Sequence, residues 1–167
     1  AGVQVMLTAA LSHGLIVVPE ERSPQGFFEA ARRWEVAQIS GTPTFWRSFL
    51  MATPPGALEL RQITLGGEAV DQATLDRLKE RFPTARITHI YASTEAGVVF
   101  AVHDGLEGFP KSWLEQPVQG VELRLRDDLL QIKTPNAMQG YLTEAAQPLL
   151  EGGWVATADR CEIVGDR

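Results

Sequence analysis

Hydrophobic positions fall along this chain in two rhythms, short unbroken runs and helical spacings, and the two alternate. Val5, Leu7, Thr8 and Leu11 predict a helix over residues 3–13, ended by His13-Gly14. Leu15-Ile16-Val17-Val18-Pro19 then reads as a short, wholly apolar strand. Ser23-Pro24 supplies a capping hydroxyl and a first-turn proline, and Phe27, Phe28, Ala31 and Trp34 recur at helical spacing behind it. Val36-Ala37-Gln38-Ile39 predicts a strand, and Ser40-Gly41-Thr42-Pro43 leads into a helix carrying Phe45, Trp46, Phe49 and Leu50. A turn-rich link, Thr53-Pro54-Pro55-Gly56, precedes the strand Gln62-Ile63-Thr64-Leu65, which Gly66-Gly67-Glu68 breaks. Asp71 caps a helix with Leu75, Leu78 and Phe82 on one face, and Arg86 to Tyr91 is the next strand.

Four strands alternating with helices predict an α/β fold with a partial parallel sheet, because right-handed crossovers return the chain to the same edge. Ligands of such sheets bind beyond the carboxyl ends of the strands. Ser40-Gly41-Thr42, Gly66-Gly67-Glu68 and Ser93-Thr94-Glu95 all fall there, so three polar loops are expected to share one crevice. After about residue 105 the pattern changes. Val121 to Leu125 alternates, Asp127-Asp128 turns, and Leu129 to Lys133 returns as a hairpin. Pro135 through Gly140-Tyr141 reads as a loop, Gly152-Gly153 as a turn, and Trp154 to Thr157 as a further strand. The expected organisation is an α/β subdomain over residues 1–104 and a small antiparallel β lobe over 105–167.

Composition narrows the partners. Hydrophobic residues make up 44% and charged residues 22%, which suits a soluble globular protein with a core. A net charge of −6 without a Lys/Arg cluster argues against nucleic acid or an anionic membrane. No apolar run approaches the ~20 residues of a membrane span, and Ala1-Gly2-Val3-Gln4-Val5-Met6 lacks a basic leader, so a cytoplasmic protein is expected. The single cysteine, Cys161, excludes a disulfide framework within the chain and reads as an apolar filler. His13, His89 and His103 have no metal-ligand spacing. Oligomeric state is not legible.

The candidate chemistry centres on Tyr91-Ala92-Ser93-Thr94-Glu95. A hydroxyl can bond a phosphate, and a neighbouring carboxylate can hold the magnesium that accompanies it. The plain alternative is a helix cap followed by an acid. Gly66-Gly67-Glu68 is either a tight turn needing positive φ or a backbone flat enough for a planar base. Asp159, after Trp154-Val155-Ala156-Thr157-Ala158, is either a loop-starting acid or an acceptor for two ribose hydroxyls.

Taken in order, Gly66-Gly67-Glu68-Ala69, Tyr91 to Glu95, and Gly153-Trp154 through Asp159 resemble three signatures of the adenylate-forming (AMP-binding) superfamily. Its members include acyl-CoA synthetases and nonribosomal peptide adenylation domains, which activate a carboxylic acid with ATP and Mg2+. Many then pass the acyl group to CoA. The resemblance implies that Gly66, Gly67 and Glu68 line the adenine and acyl side and that Tyr91 stacks on adenine. It implies that Thr94 bonds the α-phosphate, Glu95 coordinates magnesium and Asp159 holds the ribose. A small-molecule acid, fatty or aromatic, is expected against Gly97, Val98, Val99 and Phe100, with Thr42-Pro43-Thr44 opposite. The sequence departs from the family pattern at Ala92 and Ala158, where glycine is usual; a positive φ at Ala158 would be strained. The family's phosphate loop and catalytic lysine are expected before Ala1 and beyond Arg167, so the chain reads as a central fragment, inactive without its own flanking segments. The alternative is a non-catalytic nucleotide-binding module from a degenerate homologue.

Overall fold

The computed structural model describes residues 2–140 and 151–167; the sequence-predicted loop residue Tyr141 lies outside them. Three helices start where their capping residues predict. Ser23 Oγ accepts from the Gly26 N–H at 3.0 Å and opens α2 (Pro24–Arg33). Thr42 Oγ1 accepts from Phe45 N–H at 3.1 Å and opens α3 (Pro43–Ala52). Asp71 Oδ1 accepts from Thr74 N–H at 2.8 Å and opens α4 (Gln72–Arg81). Each bond satisfies a donor that the first helical turn cannot.

These helices alternate with β1 (Gln38–Gly41), β2 (Gln62–Gly66) and β3 (Arg86–Ser93), and all three strands are parallel. A hairpin then brings β4 (Gly97–Val102) antiparallel to β3, completing the sheet order β1-β2-β3-β4. A separate antiparallel sheet holds β5 (Glu122–Arg126), β6 (Leu129–Lys133) and β7 (Val155–Arg160). The α/β class, the mostly parallel sheet and the small β lobe are as the sequence predicts.

Two expectations fail. Leu15-Ile16-Val17-Val18-Pro19 is not a strand; it follows α1 (Gly2–Leu11) as irregular chain, with Leu15 and Val18 exposed at 76% and 74%. An apolar run becomes a strand only when a neighbouring edge pairs its backbone, and none does so here. The fourth strand is instead Gly97–Val102, whose first four residues, Gly97 to Phe100, are the ones expected against the acid. Its apolar run Val98 to Val102 is long enough for a strand, while its place after a candidate phosphate loop suits a ligand equally well.

The sheet serves two cores. Ile63 and Leu65 of β2 pack with Trp46 and Phe49 of α3 and Leu78 of α4, all five fully buried. β4 joins this sheet by hydrogen bonds, yet Val99, Phe100 and Val102 pack with Leu123, Leu130 and Ile132 of the β lobe. Val99 and Phe100, 2% and 3% exposed, therefore belong to the second core rather than to a pocket.

His89 lies on β3 with Nε2 donating to the Leu106 carbonyl at 3.0 Å. Burial lowers its pKa below the usual 6.5. Because the folded form holds the proton less tightly than the unfolded chain, stability falls as pH drops from about 6.5 through the folded value. His89→Gln is expected to flatten that acid limb in urea titrations taken across this range; an unchanged limb would assign the pH dependence to other groups.

Candidate functional site

Parallel register aligns the carboxyl ends of the strands: Gly41 pairs with Leu65, and Gly66 with Ile90. Three turns leave from this edge. At the second, after β2, Gly66 and Gly67 are required by space and conformation. A Cβ on Gly66 would stand 2.8 Å from Ile90 Cγ1, and Gly67 has φ +83°, where a side chain is strained. A Cβ there would also stand 3.7 Å from the Thr42 methyl, so the loops after β1 and β2 touch. Glu68 does not face open solvent alone. Its Oε2 accepts from the Thr44 N–H at 3.1 Å and the Thr44 hydroxyl at 2.7 Å. These bonds, the hydroxyl's foremost, hold its pKa below the usual carboxylate value.

The third turn is the β3–β4 hairpin. Ser93 Oγ accepts from Ala96 N–H at 3.1 Å, closing a turn that presents Thr94 exposed and Glu95 half-buried. The helix-cap alternative for Thr94-Glu95 is thereby excluded, since no helix follows. The Glu95 carbonyl accepts from Met138 N–H at 2.8 Å, anchoring the turn to the loop after β6.

Tyr91 sits just before this turn, its ring stacked on Phe100 at 5.3 Å between centroids and 24° between planes. Its hydroxyl donates to Asp159 Oδ2 on β7. Burial, then this contact with a carboxylate, raises the phenol well above its ordinary pKa, so Tyr91 stays protonated and remains a donor. Asp159 is exposed, and its N–H donates to Thr157 Oγ1 at 3.3 Å. The Thr157 hydroxyl donates in turn to the Leu130 carbonyl at 2.6 Å. Ala158 does not have positive φ, so the replacement of glycine there carries no such strain.

The structure thus unites Tyr91 with Asp159, 68 positions apart, and Thr42 and Thr44 with Gly67 and Glu68. Thr42 is half-buried, Pro43 buried, and Gly97 and Val98 are exposed on the hairpin. Trp46 is fully buried and cannot touch a ligand; Phe45 stacks on Phe49 at 5.5 Å. Sequence reasoning missed Phe100 as the platform under Tyr91, and Arg47, which donates to Thr44 and Asp71 beside Glu68. Arg47 is the lone charge in an otherwise apolar and hydroxylic helix, a signal that it has a polar task. Two open hollows on the β lobe, around Arg160-Cys161 and around Lys133-Thr134, include none of Tyr91, Thr94 and Glu95.

Among the described residues no group of three or more His, Cys, Asp or Glu side chains forms a metal cage. Magnesium takes one or two protein carboxylates and draws its other ligands from phosphate and water, and the Tyr91–Glu95 turn carries one carboxylate, Glu95.

Comparison with known proteins gives a consistent result. The dimodular nonribosomal peptide synthase of Bacillus subtilis (strain 168) is 26% identical over 134 residues, covering 78% of this chain and 5% of that protein. The o-succinylbenzoate CoA synthetase of Bacillus subtilis, solved with the acyl-adenylate OSB-AMP, superposes with a TM-score of 0.68 at 21% identity, covering 93% of this chain and 34% of that one. That enzyme has also been solved with ATP and a magnesium ion. A benzoate CoA ligase from Burkholderia xenovorans LB400 gives a TM-score of 0.68 at 22% identity over 84% of this chain and 32% of its own. The chain spans about a third of these solved structures and a small fraction of the peptide synthase. Its fold is therefore that of the acyl-CoA synthetases. The AMP-binding enzyme family matches residues 1–144, from α1 through β6 and the Tyr91–Glu95 turn, and the chain belongs to that family.

Proposed function

We propose that this chain forms the adenylate-binding wall of an ATP-dependent, acid-activating ligase acting on a small-molecule carboxylic acid. In that reaction a carboxylate oxygen bonds to the α-phosphorus of ATP as the bond to pyrophosphate breaks. The thiol of CoA then attacks the acyl carbonyl, and AMP leaves with the bonding electron pair. Two anions must approach, so positioning and charge neutralisation carry the catalysis.

The observation that carries the reading is the contact between Tyr91 and Asp159 at the carboxyl edge of the sheet. It sets an aromatic ring beside a carboxylate, the pair that a nucleoside requires. Asp159 gives one oxygen to Tyr91, and a carboxylate has about four lone-pair sites, so it retains acceptors for ribose hydroxyls. The Gly66-Gly67 backbone would lie against the base, and exposed Thr94 would donate to an α-phosphate oxygen. Glu95 would hold magnesium, which neutralises phosphoryl charge when bound. Thr42, Pro43, Gly97 and Val98 remain candidates for the acid side, and we propose no acid beyond its carboxylate.

By itself this 167-residue stretch is expected to bind nucleotide without turnover, since no lysine belongs to the site described. Supplying ATP, magnesium, benzoate and hydroxylamine should yield no acyl-hydroxamate; steady hydroxamate formation would contradict the inactivity. Magnesium should strengthen ATP binding in calorimetry, and Glu95→Gln should abolish most of that gain while AMP binding persists. A full magnesium gain in Glu95→Gln would remove Glu95 from the metal role.

A further inference from the structure

The start of α3 is completed by a residue from another loop. Pro43 brings no N–H, Phe45 N–H donates to Thr42 Oγ1 at 3.1 Å, and Trp46 N–H to the Thr42 carbonyl at 3.0 Å. The remaining donor of that turn, Thr44 N–H, goes to Glu68 Oε2 at 3.1 Å, and the Thr44 hydroxyl donates to the same oxygen. Carboxylates are favoured at a helix N-terminus, where unpaired N–H groups leave partial positive charge. Arg47 extends the contact. One guanidinium nitrogen donates to Thr44 Oγ1 at 2.9 Å and lies 3.9 Å from Glu68 Oε2. Another donates at 2.9 Å to Asp71, which caps α4. A polar chain therefore crosses the carboxyl ends of β1 and β2, from the N-terminus of α3 to that of α4.

We infer that Glu68 is a positioning residue whose carboxylate locks the Thr42–Thr44 loop to the Gly66–Gly67 turn, so that the two halves of the site move as one unit. The interlock stands on its own geometry; which ligand meets each loop rests on the function proposed above. With the loops joined, nucleotide at the glycine turn is felt at Thr44, the side proposed for the acid. Such coupling between sites commonly amounts to about fivefold or more in affinity.

Amide hydrogen exchange of the whole chain tests this in two independent arms. In the unliganded protein, Thr44→Val removes the hydroxyl's bonds to Glu68 and Arg47 and keeps the Thr44 N–H bond to Glu68, yet the Gly67 and Glu68 amides on the other loop should exchange about fivefold faster. Glu68→Ala should loosen both loops, and Glu68→Gln, which keeps an acceptor oxygen, should restore most of the protection. If Thr44→Val leaves Gly67 and Glu68 unchanged, or if Glu68→Gln behaves as Glu68→Ala, the interlock is wrong. In the second arm AMP is added. Protection spreading to Thr44 in the native chain but not in Glu68→Ala supports transmission through Glu68; equal spreading in both overturns it. Absence of any AMP effect in the native chain counts against the nucleotide reading, while the first arm still decides the interlock.

Discussion

Trp46→Ala should destabilise the chain by about 3–5 kcal/mol, the usual cost of removing a large aromatic side chain from a packed core. The indole is fully buried between α3 and the sheet, and its Nε1–H donates to the Thr64 carbonyl on β2 at 3.1 Å. Phe45 and Phe49 contact it with ring centroids 5.6 Å away in each case. Truncation therefore opens a cavity beneath β2 and deprives a carbonyl of its donor. Domains of this size are stable by only about 5–15 kcal/mol, so the loss is a large share of the total. It corresponds to a fall of roughly 6–20 °C in Tm at about 2–4 °C per kcal/mol. Trp46→Phe, which keeps most of the volume and loses the N–H, should recover more than half of this. Urea unfolding followed by circular dichroism measures both; a loss under about 1 kcal/mol for the alanine variant would mean that α3 is not seated through Trp46.

The second large effect concerns Asp159. Hydrogen bonds to a charged acceptor contribute about 1.5–3 kcal/mol, so Asp159→Ala should weaken AMP binding roughly ten- to a hundredfold. Because Asp159 also takes the Tyr91 hydroxyl, a loss of affinity has two possible origins. Tyr91→Phe separates them. It deletes the hydroxyl, keeps the ring on Phe100 and leaves the carboxylate with both oxygens open, so AMP should bind at least as tightly as to the native chain. Equal losses in the two variants would reduce Asp159 to a structural partner of Tyr91.

Capping residues and periodic apolar faces made most of the α/β part legible, because Ser23, Thr42 and Asp71 act within three residues of themselves. Leu15 to Val18 misled because strand formation depends on a distant edge, which local pattern does not encode. Val99 and Phe100 misled for a related reason. Their apolar character is the same in a pocket or a core, and only the β lobe folding over β4 decides between them. At the proposed site, Tyr91, Thr94, Glu95 and Asp159 are residue types suited to a nucleotide. The pairing of Tyr91 with Asp159 and the seating of Glu68 on α3 were not, since each joins positions 24 or more residues apart. Glu68 shows the consequence most clearly: an acid expected to line the adenine and acyl side gives its Oε2 to the N-terminus of a neighbouring helix.

The Tyr91–Glu95 turn and Asp159 are proposed to form one nucleoside-binding wall. Isothermal titration of AMP into the native chain, Asp159→Ala and Tyr91→Phe tests it most directly. Saturable one-to-one binding to the native chain is expected, retained by Tyr91→Phe and lost or weakened at least tenfold by Asp159→Ala. No binding to the native chain, or binding indifferent to Asp159, would contradict it.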